Sequence, residues 1–341
     1  MSNFTQEQQA MQQMEAFDRF ASEICRAVEE AMLRDYGKHV ETELRDVTKT
    51  NVTLEGMSVT MLDDSSKDQK ITPTIYLEDA YKQYQSGRSM EAIAEDMAKG
   101  VMRAYEQAPP IPVLTAEEAK KHITLTLINT AKNQELLSHT PHMEIGDLSA
   151  IPRWQVAEGA SFIVSEDTCS RLGLTPDEVL AIGQTNINQT EFSISSMQDI
   201  LKEMVMRDGM PEDMVDAMFP ETDGPQMIIL TNESRVYGSQ AILSDTALQQ
   251  VREMMGGQDF VILPSSVHEV ICVPARDMDA DALRQMVREV NGTEVSPQEY
   301  LSDSIYKYDG QKLQLVREDP KLDSPEVKPE SRTIHYAGMR M

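Results

Sequence analysis

The sequence predicts an α+β protein with mixed sheets, flanking helices and a long N-terminal helix. Apolar residues recur every three or four positions across residues 5–35, as on one face of a helix. Short β-branched runs separated by single helical segments fill most of the remaining chain, a pattern that favours mixed sheets. A chain of 341 residues, 40% of them hydrophobic, can bury one large core or two modest ones. We divide it into an N-terminal helix-and-sheet module (1–108), a larger mixed module (109–316) and a partly disordered acidic and polar tail (317–341).

The first module begins with the long helix and continues into a small sheet. The apolar positions of that helix are Phe4, Met11, Met14, Phe17, Phe20, Ile24, Val28 and Met32. Strands are predicted at 40–48 and 52–62 with a turn near Asn51, and at 71–77, where Pro73 indicates an edge strand or a strand start. Helices are predicted at 78–85 and 89–107. The proline-rich stretch 108–112 is the best candidate for a linker.

Capping residues and short apolar runs predict the elements of the second module. Thr115, Thr175 and Ser296 each begin the Ser/Thr-x-x-Glu spacing of a capping box. Helices are predicted at 131–138, 165–172, 175–185, 195–206, 211–218, 244–256 and 279–290. Strands are predicted at 122–129, 145–156, 160–164, 226–231, 236–243, 260–263 and 270–273. A hairpin around Asp309-Gly310 joins 304–308 to 312–316.

Charge and composition disfavour several classes of partner, although a local basic patch stays possible. Lys and Arg number 31 against 57 Asp and Glu, and the net charge of -26 opposes binding to nucleic acid or to an anionic membrane surface. The N-terminus lacks the basic and apolar regions of a signal peptide, and no apolar run approaches the roughly 20 residues that span a bilayer. The three cysteines form no CxxC pair. We therefore predict a cytoplasmic protein with reduced thiols.

The stretch FVILPSSVHEVICVPA, residues 260–275, carries the main catalytic candidates. Two buried strands flank Ser266, His268 and Glu269, which are a nucleophile, a base and an orienting carboxylate close together in sequence. Alternation along an extended segment puts Ser266 and His268 on one side and Glu269 on the other, so a triad needs a carboxylate from elsewhere. The structural alternative is a turn in which the serine hydroxyls bond to backbone.

A metal site is the second chemical hypothesis. His139, His142 and Asp147 supply two imidazoles and a carboxylate, which suit Zn²⁺ or Fe²⁺. The alternative is that His139 ends a helix and His142 is a loop residue. The acidic clusters at 63–64 and 277–281 lack the glycine and the distal glutamate of a calcium loop. No P-loop or G-x-G-x-x-G is present, and we predict no cofactor.

Several phrases resemble an uncharacterised bacterial family, domain of unknown function 5688. They are ITPTIYLEDAYKQYQSG, INTAKNQELLSHTPH, GDLSAI, ILPSSVHEV and MVREVNGTEVSPQEYLSDSIYKYD. The resemblance covers roughly residues 5–316. It implies a bacterial cytoplasmic protein without an assigned activity, cofactor or partner, and it supplies no catalytic residue.

Two functional hypotheses follow. The first is a non-enzymatic cytoplasmic protein that binds another protein or a small ligand, since the sequence carries no catalytic motif. The alternative is a hydrolase, possibly metal-dependent, with its site around PSSVHE. The hydrolase requires distant polar residues to converge in one cleft, whereas binding of a protein partner requires an exposed apolar patch.

Overall fold

A computed structural model describes residues 6–62, 72–108, 112–157, 160–219, 227–276 and 279–317. It confirms the α+β fold and the long N-terminal helix. The acidic pair at 63–64, the linker residues Pro109 and Pro110, Asp277 and the tail from 318 lie outside the described residues. Among the helices that the structure describes, none has the length and apolar character needed to cross a membrane.

The N-terminal elements build a core of their own. Helix α1 is Gln6–Tyr36, and it is followed by strands β1 (Val40–Lys49), β2 (Val52–Met61) and β3 (Thr74–Tyr76) and by helices α2 (Glu78–Gln85) and α3 (Met90–Glu106). The three strands form an antiparallel sheet in the order β1-β2-β3. The α1 stripe from Phe20 to Met32 packs with Met57, Val59 and the apolar face of α3. The predicted domain boundary stays a prediction.

The tip of the β1–β2 hairpin contacts the rest of the chain through Asn51. Its backbone is left-handed, with φ 67°, which asparagine tolerates better than most residues. The Asn51 amide donates to the side chain of Asn133 over 2.7 Å, and Asn133 donates back to the Asn51 side chain over 2.8 Å. The Asn51 carboxamide also donates to the carbonyls of Pro297 and Tyr300. One side chain therefore joins three segments distant in sequence.

A second sheet carries the strand that matters most for the site. Its strands are β4 (Ile123–Asn129), β5 (Met143–Ile145), β6 (Leu148–Ala157) and β7 (Ala160–Ile163), with β6 paired to the other three. Around it lie helices α4 (Ala116–His122), α5 (Gln134–Leu137), α6 (Glu166–Leu172) and α7 (Pro176–Gln189). Pro152 lies where the neighbour of β6 changes from β5 to β7. A residue without an N–H is tolerated at such an interruption.

A six-stranded sheet completes the fold, in the order β13-β12-β10-β11-β9-β8. Its strands are β8 (Ser193–Ser196), β9 (Ile228–Thr231), β10 (Phe260–Leu263), β11 (Val270–Pro274), β12 (Tyr306–Tyr308) and β13 (Leu313–Leu315). The accompanying helices are α8 (Met197–Arg207), α9 (Glu212–Met218), α10 (Asp245–Met254), α11 (Ala280–Thr293) and a 3₁₀ helix, Gly238–Leu243. One core packs residues of β4 and β6 against β9, β10 and β11.

Three features of the fold differ from the predictions. All strand pairs in the described ranges are antiparallel, so the sheets are not mixed; β1–β2, β10–β11 and β12–β13 join strands that follow each other in the chain. Residues 238–243, predicted as part of a strand, form the 3₁₀ helix. The spacing at Ser296 caps a single turn, because its carbonyl accepts from the amides of Glu299 and Tyr300 and Tyr300 then bridges to Ser266.

Candidate functional site

The candidate site is organised around Arg153, in the middle of β6. Alternation along this strand places Leu148, Ala150 and Trp154 in apolar cores and leaves Arg153 on the opposite face, across from Thr124 of β4. Only 7% of the Arg153 surface is exposed. The strand thus holds a guanidinium inside the protein on a rigid element.

The Arg153 guanidinium has no carboxylate partner in the described part of the chain. Its Nη1 donates to the Ser161 hydroxyl over 3.1 Å, while its Nε is buried without an acceptor and no described residue accepts from Nη2. The buried hydroxyl of Thr126, on the same face of the sheet, also lacks a partner among the described residues. Burial lowers the pKa of Arg153, and the nearby Tyr237 opposes that change. Arginine remains charged at neutral pH despite such a shift.

Tyr237 covers the guanidinium with its ring. The Arg153 Cζ lies 4.1 Å from the ring centroid, a cation–π contact. The Tyr237 backbone is left-handed, with φ 57°, and so is that of Arg235, with φ 54°. A non-glycine residue in this region is strained by about 1–2 kcal/mol. Strain of this kind accumulates where the position of a side chain matters, and here it places the tyrosine ring over a buried charge.

Neighbouring groups hold the Tyr237 loop in place. The Asn232 side chain donates to the Val236 carbonyl over 2.8 Å and accepts from the Val236 amide over 3.2 Å. Gly238 follows directly; a Cβ there would overlap the Thr231 hydroxyl and lie 2.5 Å from the His268 carbonyl oxygen. Only glycine fits at this position.

A cleft of about 480 Å³ opens beside Arg153, and we call it the polar cleft. Its lining includes the buried side chains of Arg153 and Gln240, the half-buried Ser161, Tyr237 and Asn186, and the exposed Gln155. None of its described lining residues is acidic, although the whole chain carries a net charge of -26. Local charge in the cleft is therefore opposite in sign to the charge of the protein.

The side chains of Lys121 and His122 also line the polar cleft. The Lys121 ammonium lies 2.6 Å from the Glu118 carboxylate, and His122 Nε2 lies 3.3 Å from its other oxygen. The hydrogen bond to Glu118 raises the pKa of Lys121, and Lys121 lowers the pKa of Glu118 in turn. These groups are largely exposed and share one carboxylate, so Arg153 is the stronger anchor for an anion.

A second cleft, of about 490 Å³, lies on the other side of Arg153 and shares Arg153, Ser161 and Tyr237 with the first. We call it the hairpin cleft, since residues 47–50 of the β1–β2 hairpin form one of its walls. The Lys49 ammonium lies over the Tyr76 ring, 4.7 Å from its centroid. Phe162 and Leu136 make this cleft more apolar than the polar cleft.

The His268 ring lies beside the ring of Tyr237. The two rings are 5.9 Å apart, and the Tyr237 amide donates to His268 Nδ1 over 3.3 Å. Because Nδ1 accepts, the neutral ring carries its proton on Nε2, which lies 3.5 Å from the Glu299 carboxylate. Thus the carboxylate paired with His268 belongs to Glu299 and not to Glu269.

The Ser266 hydroxyl oxygen accepts the amide of His268 over 3.1 Å, as in a turn closed by a serine side chain. The catalytic role predicted for Ser266, His268 and Glu269 stays a prediction, and this geometry adds no support to it.

The structure does not bring His139, His142 and Asp147 together. No group of three His, Cys, Asp or Glu residues in the described ranges could hold a metal ion. The Asp147 carboxylate accepts from the hydroxyls of Ser302, Ser304 and Tyr306, and so it ties β6 to β12. His142 Nδ1 lies 2.9 Å from the Thr140 carbonyl. Of these three residues, His139 lines the hairpin cleft and the other two do not.

Sequence reasoning did not identify Arg153, Tyr237 or Gln240. The available signal was a single arginine in the otherwise apolar strand LSAIPRWQV, where a buried face is expected. The left-handed Tyr237 has no comparable signal, because its conformation depends on Asn232 and on packing around Gly238.

Comparison with known proteins supports the family assignment only. Neither a curated protein nor a solved structure matches the chain. The sequence model of a family of unknown function, DUF5688, matches residues 17–310, which is nearly the whole chain. The chain therefore belongs to the DUF5688 family of unknown function.

Proposed function

We propose that this protein is a non-enzymatic binding protein of the bacterial cytoplasm, and that it takes a small anionic ligand into the polar cleft. The observation that carries the proposal is the Arg153 guanidinium, which is buried, unpaired by any described carboxylate and located in the cleft wall. The three free cysteines agree with a reducing compartment.

The energetic argument concerns a charge without a partner. An ion removed from water is destabilised by several kcal/mol, and buried charges are normally paired. Ser161 and the Tyr237 ring offset part of this destabilisation for Arg153, but neither is an anion. A carboxylate or phosphate oxygen bound at Nη2 would supply the missing charge through a strong, charge-assisted hydrogen bond.

The acidity of the whole protein does not oppose this proposal. Long-range repulsion from a net charge of -26 slows the approach of anions and is screened beyond about 8 Å at physiological salt. Inside the cleft the lining supplies the guanidinium of Arg153, the ammonium of Lys121 and the imidazole of His122, and no described lining residue is acidic. Contact interactions there favour an anion.

The test is anion binding by the full chain, measured by isothermal titration calorimetry and thermal shift with phosphate, sulfate, acetate and citrate. Wild type should bind at least one of them. Arg153→Met should abolish that binding, and Arg153→Lys should weaken it about tenfold because a lysine lacks the bidentate fork. Arg171→Met, which removes an exposed arginine from α6, is the matched control and should bind as wild type does. Equal binding by wild type and Arg153→Met would contradict the proposal.

A further inference from the structure

The polar cleft contains both donors and acceptors that lack partners among the described residues. The donors include Arg153 Nη2, Gln240 Nε2 and the Tyr237 hydroxyl. Gln240 is 7% exposed and lines the cleft, and no described residue accepts from its Nε2.

The position of Gln240 follows from its own hydrogen bond. Its Oε1 accepts from the hydroxyl of Thr124 over 3.3 Å, and Thr124 is the residue directly across from Arg153 in the β4–β6 pair. This bond uses the oxygen and leaves the nitrogen to donate. Two strong donors, Gln240 and Arg153, therefore lie at neighbouring positions on one face of the sheet.

Acceptors without partners also line the cleft. Gln155 is two residues beyond Arg153 on the same face of β6 and lies directly across from Ser161 of β7. Its Nε2 donates to the Ala157 carbonyl over 2.7 Å, so its Oε1 is the free group. Asn186 donates through its nitrogen to the carbonyls of Lys120 and Ile123, and its Oδ1 remains free as well.

A ligand that complements these groups has an anionic head and further groups that donate hydrogen bonds. Hydroxyls and ammonium groups both donate, but a buried ammonium needs a carboxylate, and the described lining contains none. Resting on the proposed function, we infer that the ligand class is polyhydroxylated anions without an amino group, such as sugar acids or sugar phosphates. The head binds Arg153 and Gln240, and the hydroxyls bind Gln155 and Asn186.

The test compares six-carbon ligands that each change one chemical feature of gluconate, namely its hydroxyls, its lack of an ammonium or its charge, by calorimetry on the full chain. Gluconate should bind at least tenfold more tightly than hexanoate, which lacks the hydroxyls, and than glucosaminate, which carries an ammonium. Glucose, without a charge, should bind at least tenfold more weakly than gluconate. Glucose 6-phosphate against inorganic phosphate is the parallel arm for a phosphate head, and glucose 6-phosphate against gluconate distinguishes a phosphate head from a carboxylate head.

Gln155→Leu distinguishes binding of the ligand hydroxyls from binding of the anionic head. It should weaken gluconate or glucose 6-phosphate by about tenfold, the loss of roughly one hydrogen bond, and leave hexanoate and phosphate unchanged. If hexanoate or glucosaminate binds as tightly as gluconate, and Arg153→Met abolishes both, the ligand class is wrong while the anion site stands. If no anion shows binding that depends on Arg153, the proposed function fails as well.

Discussion

Replacing Arg153 by methionine should leave the stability of the ligand-free protein nearly unchanged. The variant loses a cation–π contact with Tyr237, about 0.5–2 kcal/mol, and a hydrogen bond from a charged donor to Ser161, about 1.5–3 kcal/mol. It also removes the desolvation of a buried ion, which destabilises the native state by several kcal/mol. These contributions have opposite signs and similar size, so the free energy of unfolding should change by no more than about 1 kcal/mol.

The contrast is with an arginine in a buried ion pair. Removing one partner of such a pair lowers stability by about 3–5 kcal/mol, because the other charge stays buried alone. No described carboxylate would be left behind by Arg153→Met, and Ser161 is only partly buried, so water can replace its lost partner. A methionine fills much of the same volume with an apolar chain.

The assay is urea unfolding of wild type and Arg153→Met, with the slope m compared to exclude a change in the denatured state. A saturating anion, at about 100 times its dissociation constant, should stabilise wild type by about 2.7 kcal/mol and the variant not at all. A loss of 3 kcal/mol or more without ligand would refute the reasoning, since it would show that the guanidinium has a structural partner.

Three further predictions concern the scaffold. Gly238→Ala should lower the free energy of unfolding by about 1–3 kcal/mol and abolish anion binding, because the new Cβ would lie 2.5 Å from a carbonyl oxygen; Gly100→Ala, in α3 with open space around it, is the control that should be neutral or stabilising in urea titrations. Asn51→Ala should cost about 2 kcal/mol by the same assay, since alanine disfavours φ 67° and loses the side-chain bonds to Asn133, Pro297 and Tyr300; stability equal to wild type would contradict this. Burial raises the pKa values of the Cys272 thiol and of the Tyr306 hydroxyl, so stability should fall as pH rises above about 9 through the thiol and above about 10 through the hydroxyl, by up to about 1.4 kcal/mol per pH unit for each group, and a flat profile from pH 8 to 10.5 would rule it out.

Local signals predicted the elements that depend on local chemistry. The capping box at Thr175 is present in full, with the hydroxyl accepting from the Glu178 amide and the carboxylate accepting from the Thr175 amide. The α1 stripe packs into the core from Phe20 onward, as its spacing indicates. Both depend on residues within one or two helical turns of each other, which is why the sequence alone was sufficient.

Long-range packing decided what the sequence did not reveal. The apolar residues of the segment VYGSQAIL led to the prediction of a strand. Close packing around Gly238 and the hydrogen bonds of Asn232 favour a 3₁₀ helix instead. Arg153 belongs to a site only because Tyr237, 84 positions later, is placed over it. No local pattern encodes that contact. Ser266, His268 and Glu269, by contrast, are predicted as a site because they lie close together in sequence.

The strained Tyr237 loop has a kinetic consequence. Asn232 fixes the loop and Gly238 packs too tightly to shift, so the wall of the polar cleft has its final shape before a ligand arrives. Binding to a preformed wall needs no slow rearrangement, and stopped-flow traces should show one phase whose rate rises linearly with ligand concentration. Differences in affinity between ligands should then reside in their dissociation rates, so a well-matched ligand is one that stays longer in the cleft.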